Sequence, residues 1–401
     1  MSTKTLFMGL AAAAFMASSS VSAQTLVRIG VLNDQSGLYS DLTGQGSVWA
    51  ARKAVEDFDA AAHGLTVEIV SADHQNRPDV GSTVARQWYD RDGVHMIVDV
   101  PTSSVALAVN ELTRERNKVF ISSGAATSDL TGAACSPNTV HWTYDTWSLA
   151  NGTGRAIVET GGESWFFITA DYAFGHALER DTMAVVQESG GDVRGSVRHP
   201  FPGSDFSSFL LQAQASGAQI IGLANAGGDT VNSVKQAAEF GIVQGGQNLA
   251  ALLMFITDVH ALGLNDAQGL LFTEAWYWDM TDENRAFAEE FAAANRGNKP
   301  TMVQAGVYSG VLHYLKAVAE VGSPEDGAAV VEKMKEMPTE DPLFGEGEIR
   351  ADGRKIHDMY LFEVKAPGDS TGPWDYYNLR ATIPADQAFR PLEEGGCALV
   401  N

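Results

Sequence analysis

The residues best suited to chemistry in this chain are hydroxyls and small residues set directly after short apolar runs. Pro101-Thr102-Ser103-Ser104 follows the run 95–100 and leads straight into a helical pattern, and Ser123-Gly124-Ala125-Ala126-Thr127-Ser128 follows the run 119–122. Small side chains admit close backbone approach, hydroxyls donate, and N–H groups at a helix start lack partners. That combination holds anions, carboxylates in particular, without a formal positive charge. Helix capping by Ser and Thr is an equal reading of either loop taken alone. Two further loops match them: Ala170-Asp171-Tyr172-Ala173-Phe174-Gly175 and Asn225-Ala226-Gly227-Gly228-Asp229. Aromatics gather at Trp142, Tyr144 and Trp147 and at Trp276, Tyr277 and Trp278, with Tyr39 and Tyr308 as further walls. Singly each is ordinary packing; together they suggest a pocket with an apolar or planar side.

Catalysis has no comparable footing. The chain has no Gly-x-Ser-x-Gly elbow, no Walker loop, no dinucleotide fingerprint after its first apolar run, no His-Glu-x-x-His and no paired-Cys motif. An enzyme is disfavoured, and neither a cofactor nor a metal is expected. The 50 acidic and 27 basic residues give a formal net charge of −23. Such acidity argues against nucleic acid or an anionic membrane surface as partner. Cys135 and Cys397 lack metal-type spacing. One disulfide tying the tail to the body is the favoured expectation, with two buried free thiols as the alternative.

These loops need elements to hold them. Short strands are expected at 27–32, 67–70, 95–100 and 119–122, with helical spacing at 48–58, 80–88 and 105–116 between them. The alternation then restarts, with strands at 165–169, 193–198, 220–223 and 249–255 and helices at 176–188, 206–216 and 230–240. Alternation of this kind means parallel sheets with helices on both faces, and two runs mean two lobes. Ligands of such sheets sit beyond the carboxyl ends of the strands, where all four loops fall. Helices are expected at 284–295, 302–320 and 325–337. A hairpin turning at Asp352-Gly353 between 348–350 and 357–364 follows, and the tail beyond Pro367 should wrap the surface. At the other end, Lys4, the apolar run 6–17 and Val21-Ser22-Ala23 make residues 1–23 a signal peptide, too short to span a bilayer. The mature chain is expected in the periplasm, without membrane insertion.

The order and spacing of these features are more specific than any one of them. Asp34-Gln35-Ser36-Gly37, the Gly-rich entry before Trp49, Thr102-Ser103-Ser104, Ile121-Ser122-Ser123-Gly124-Ala125-Ala126-Thr127, Asp171-Tyr172-Ala173-Phe174-Gly175 and Asp352-Gly353 follow one another along the chain. On these the chain resembles the type I periplasmic binding proteins of the leucine/isoleucine/valine-binding class, served by ABC transporters. The resemblance implies an α/β fold of two doubly wound parallel-sheet lobes joined by crossing strands, a Venus flytrap. Lobe 1 would be 24–143 plus 275–362, and lobe 2 would be 144–274 plus 363–401. Thr102, Ser103, Gly124, Ala125, Ala126 and Thr127 would hold a ligand carboxylate. Tyr172, Phe174, Asn225 and Phe255 would face it from the other lobe, with Tyr39 and Tyr308 as walls. The implied partners are a small-molecule ligand and an inner-membrane ABC permease, and a monomer is expected.

One departure bears on the ligand. Amino-acid binders of this class carry an acid after the lobe-two strand that ends near Phe255, where it pairs the ligand ammonium. Here the stretch reads Met254-Phe255-Ile256-Thr257, and the nearest acid is Asp258. A buried ammonium without an anion is costly. A carboxylate with an apolar or aromatic body is therefore favoured over a branched-chain amino acid. A ligand sensor presenting the same closed form, or a cleft enzyme, are the rival functions.

Overall fold

In a computed structural model describing residues 24–400, Val27, Ile29 and Val31 point from β1 (Thr25–Asn33) into the core with no exposed surface. The expected signal peptide lies outside the described residues. The chain continues through α1 (Gly44–Phe58), β2 (Leu65–Asp73), α2 (Pro78–Asp90), β3 (Met96–Asp99), α3 (Ser103–Glu115), β4 (Val119–Ser122) and β5 (Thr139–His141). These strands form one parallel sheet in the order β2-β1-β3-β4-β5. Every residue of β3 and β4 is buried, which is why both read as unbroken apolar runs: helices cover both faces.

Beyond β5 the chain crosses at 142–145 to a second lobe. Asp145 Oδ1 accepts from the Ser148 N–H at 2.8 Å and starts α4 (Thr146–Leu149), which runs through a π turn (Ala150–Gly154) into α5 (Arg155–Glu159). Then come β6 (Ser164–Ala170), α6 (Ala173–Glu188), β7 (Asp192–His199), α7 (Ser207–Ala215), β8 (Ile220–Ala224), α8 (Gly228–Glu239), β9 (Asn248–Ala251), α9 (Ile256–Leu262) and α10 (Leu264–Ala267). The second sheet is also parallel, in the order β7-β6-β8-β9. Both sheets thus place their second strand outside the first and wind the other way from the third. Two doubly wound lobes are what the alternation predicts.

After β10 (Leu271–Glu274) the chain crosses back, and α11 (Asp282–Ala294), α12 (Met302–Val321) and α13 (Gly327–Glu336) follow. α12 is pinned to the first lobe at its start, where Thr301 Oγ1 donates to Leu42 O (2.8 Å) and Gln304 Nε2 to Thr43 O (3.0 Å). α13 begins two residues later than expected, because the Asp326 carboxylate supplies the cap, accepting from the Ala329 N–H.

The last segment departs most from expectation. β11 (Thr339–Asp341), β12 (Gly345–Ile349) and β13 (Lys355–Ile356) form a small antiparallel sheet, with Gly353 in the turn at φ 86°. The expected second arm of the hairpin divides there. Its outer part, β14 (Met359–Val364), pairs instead with β10 and with β15 (Tyr377–Ile383), a strand where only a wrapping tail was expected. The lobe division expected at 362/363 therefore falls inside β14. Cys397, expected with lobe 2, is joined by a disulfide to Cys135 of the first lobe. Among the described residues no helix is long and apolar enough to cross a membrane.

Candidate functional site

The carboxyl ends of the two sheets face each other across a tightly closed cavity, with a volume of about 10 Å³ open to water. The first lobe contributes Tyr39, Leu42, Pro101, Gly124, Ala126 and Tyr144, and the second contributes Tyr172, Phe174, Ala226, Leu253 and Phe255. A wider groove at the amino end of the second sheet, lined by Gly162, Gln219 and Asn248, is open and remote from these loops. The cavity lies where open α/β sheets bind ligands.

Local structure sets each wall. The Asp34 carboxylate accepts from the N–H groups of Gly37 (2.7 Å) and Tyr39 (2.8 Å), a turn that swings Tyr39 towards the second lobe. There its phenol meets that of Tyr172 at 2.6 Å, and Phe201 stacks on Tyr172 with ring centres 4.2 Å apart. Burial pushes both phenols well above their ordinary range, so both stay protonated. At Gly124 a side chain is excluded by space: a Cβ would stand 2.7 Å from Asp99 Oδ1 and 2.8 Å from Pro101 Cα. The Tyr144 hydroxyl donates to Gly124 O at 2.7 Å, and its ring meets Phe255 edge-on at 6.3 Å.

Of the twelve residues assigned to the ligand from sequence, Tyr39, Gly124, Ala126, Tyr172, Phe174 and Phe255 line the cavity; the other six do not. Thr102 is fully buried and its hydroxyl donates to Asn76 Oδ1, while the Asn76 amide donates to Asp34. It braces the Tyr39 turn. Ser103 Oγ accepts from the Thr127 N–H at 3.3 Å, and the Thr127 hydroxyl caps a short 3-10 turn at Asp129. These two residues tie one loop to the other. Ala125 packs in the core beneath α3, its carbonyl accepting from His141 Nε2 at 2.7 Å. Asn225 is locked inside the second lobe, donating to Ser233 Oγ (3.1 Å) and accepting from Thr230 Oγ1 (2.8 Å). Tyr308 sits on α12, where its hydroxyl donates to Asp57 Oδ2 of α1 at 3.0 Å. Tyr308 is packing within the first lobe.

Thr102→Val tests this reassignment. It should cost about 1–2 kcal/mol of folding stability by leaving Asn76 Oδ1 without a donor, and shift ligand affinity by less than about threefold. Denaturant unfolding and calorimetry measure the two. A large affinity loss at unchanged stability would return Thr102 to the ligand.

Sequence reasoning missed Leu42 and Leu253 and named Pro101, Ala226 and Tyr144 only as members of candidate loops or of an aromatic cluster, without assigning them to the ligand. Tyr144 had a signal, since it stands in the aromatic cluster of the crossing; its neighbours Trp142 and Trp147 are absent from the wall.

No lining side chain carries a charge. Buried acids lie behind the wall, and of these burial pushes Asp99, Asp229 and Asp258 each up to about 7. Asp258 accepts from the Phe255 N–H at 3.0 Å at its own helix start and does not line the cavity. Among the described residues no group of three or more His, Cys, Asp or Glu could hold a metal.

Comparison with known proteins bears on this geometry. A family model described as periplasmic binding protein matches residues 26–372. A solved periplasmic binding protein from Burkholderia mallei is 51% identical, with a TM-score of 0.91, covering 94% of this chain and 100% of that one. A branched chain amino acid ABC transporter periplasmic ligand-binding protein from Burkholderia xenovorans LB400 is 40% identical, with a TM-score of 0.82, covering 93% and 99%. The Leu/Ile/Val-binding protein homolog 6 of Brucella melitensis is 29% identical over 92% of this chain and 94% of its own length.

Proposed function

The chain belongs to the periplasmic binding protein family, in its leucine/isoleucine/valine-binding class, and on that footing we propose that it captures a small organic acid outside the cytoplasm for an ABC importer. The observation that carries the ligand class is the wall itself: five aromatic rings, small apolar residues and no charge. An ammonium enclosed there would lose its water and gain no anion, a cost of several kcal/mol. A carboxylate needs only donors. The Ala126 N–H makes no hydrogen bond among the described residues. In the Tyr39–Tyr172 pair one phenol hydrogen lies between the oxygens and the other is uncommitted. The rings then cover an apolar or aromatic body.

Each lobe holds half of the wall, so a ligand touching both favours the closed arrangement by its differential affinity. The closed surface is what a permease would read. No nucleophile, charged acid or base lines the cavity, which supports binding without chemical change. A branched-chain amino acid is the competing ligand, favoured by the names of two relatives.

A thermal-shift panel decides between them. Benzoate, phenylacetate and short aliphatic acids should stabilise the protein, by about 2.7 kcal/mol at a hundred times the dissociation constant, whereas leucine and valine should not. Strong stabilisation by leucine and valine with none by the acids would overturn the assignment.

A further inference from the structure

We infer that Asp99 links binding in the cavity to proton uptake, so that an anionic ligand is held more tightly at lower pH. This rests on the organic-acid reading above.

The geometry singles Asp99 out. It ends β3 at φ 85°, and Val100 follows at φ 52°, a left-handed conformation that a β-branched residue rarely adopts. This turn places the carboxylate directly behind Gly124 and Pro101, both of which line the cavity. Gly124 thus stands between Asp99 and the cavity. Its side chain is fully buried; Asn33 Nδ2 donates to Oδ2 at 3.0 Å, and Oδ1 has no partner.

The groups around it leave its charge unopposed. β1 presents Asn33, and the neighbouring Asp34 is engaged by Gly37, Tyr39 and Asn76. α1 presents Ser47 and the loop after β4 presents Ser123, both near the carboxylate without a well-formed hydrogen bond. α3 begins with Ser103, turned to Thr127. The phenol of Tyr144 is kept neutral by burial, and His141, bonded to Ala125 O, is kept neutral by burial and by Arg354. No lysine or arginine contributes, and burial alone lifts Asp99 to about 7.

A ligand carboxylate across Gly124 disfavours a second negative charge at Asp99. Binding near neutrality therefore takes up a proton, and by linkage protonation strengthens binding. Below its titration Asp99 is neutral and affinity is full; affinity falls as pH rises through it.

The test is calorimetry with benzoate between about pH 5.5 and about pH 8.5, where the ligand is ionised throughout. Wild type should bind about tenfold more weakly at the alkaline end and take up protons at neutrality. Asp99→Asn, which keeps the bond to Asn33, should hold the acid-side affinity at every pH and take up none. Asp229→Asn removes the comparable acid of the second lobe and should keep the wild-type slope; benzamide, neutral and of similar shape, should bind without one. Benzoate binding with a flat profile, or a slope that survives Asp99→Asn or vanishes in Asp229→Asn, overturns the inference alone. Failure of benzoate and every other acid to bind at any pH overturns the organic-acid reading and the inference with it.

Discussion

Arg354→Met should destabilise the protein by about 3–5 kcal/mol in denaturant unfolding, because it strips the partner from a buried carboxylate. Arg354 is fully buried. Its Nη1 donates to Tyr144 O at 3.0 Å and lies 3.5 Å from Asp145 Oδ2, its Nε donates to Lys355 O at 2.9 Å, and its guanidinium lies 4.5 Å over Phe389. Burial lowers its pKa to about 10, so it remains a cation at neutral pH. One side chain thus joins the crossing at 142–145, the β13 strand and the tail. The Asp145 charge, left behind, is the main cost. Asp145→Asn in the same chain should therefore recover part of the loss, since the amide can still accept from the Ser148 N–H that starts α4. A single variant that loses less than about 1 kcal/mol, or a double variant no better than the single, would mean that Asp145 does not depend on this cation. Tyr144 lines the cavity, so ligand affinity should fall in the same variant.

The parallel sheets were legible because their strands are buried on both faces and stand out as apolar runs. Met96-Ile97-Val98 and Val119-Phe120-Ile121 could hardly be anything else. β5 was not legible: three residues, Thr139-Val140-His141, carry too little pattern. β15 was hidden for a different reason. Its pairing with β14 is long-range, and exposed residues at 379–382 dilute the alternation. At the site, sequence could place the loops at the carboxyl ends of strands, because loop position follows from strand ends. It could not assign side-chain direction within a loop. Ala125 and Ala126 are adjacent, yet one packs under α3 and the other faces the cavity. Thr102 has the chemistry of a carboxylate donor, but its hydroxyl hydrogen goes to Asn76, and Ser103, which accepts from the Thr127 N–H, does not line the cavity. Tyr308 illustrates a tertiary choice: α12 could present its aromatic to the cleft or to α1, and Asp57 captures it.

Removing the Cys135–Cys397 disulfide should cost up to about 5 kcal/mol, the chain-entropy figure for a loop this long. The bond spans 262 positions of sequence. What it fixes is the path of the tail. β15 packs with the second lobe, where Tyr377 joins Phe272 and Phe362 in one core, and the chain then returns to the first lobe. There Arg390 donates to Ser128 O at 3.1 Å and Cys397 is bonded beyond it. The tail is thus a fourth connection between the lobes, beside the crossings at 142–145 and 275–281 and the step from β13 to β14, and the disulfide keeps its end from fraying. Cys135→Ser with Cys397→Ser, or reductant on the intact protein, should lower the denaturation midpoint, while benzoate affinity stays within about twofold because neither cysteine lines the cavity. An unchanged midpoint would mean that Arg390 and its neighbours hold the tail unaided. A loss of affinity matching the loss of stability would mean that the tail sets how far the lobes close. The first outcome would remove the tail from the stability of the fold; the second would place it in the mechanism.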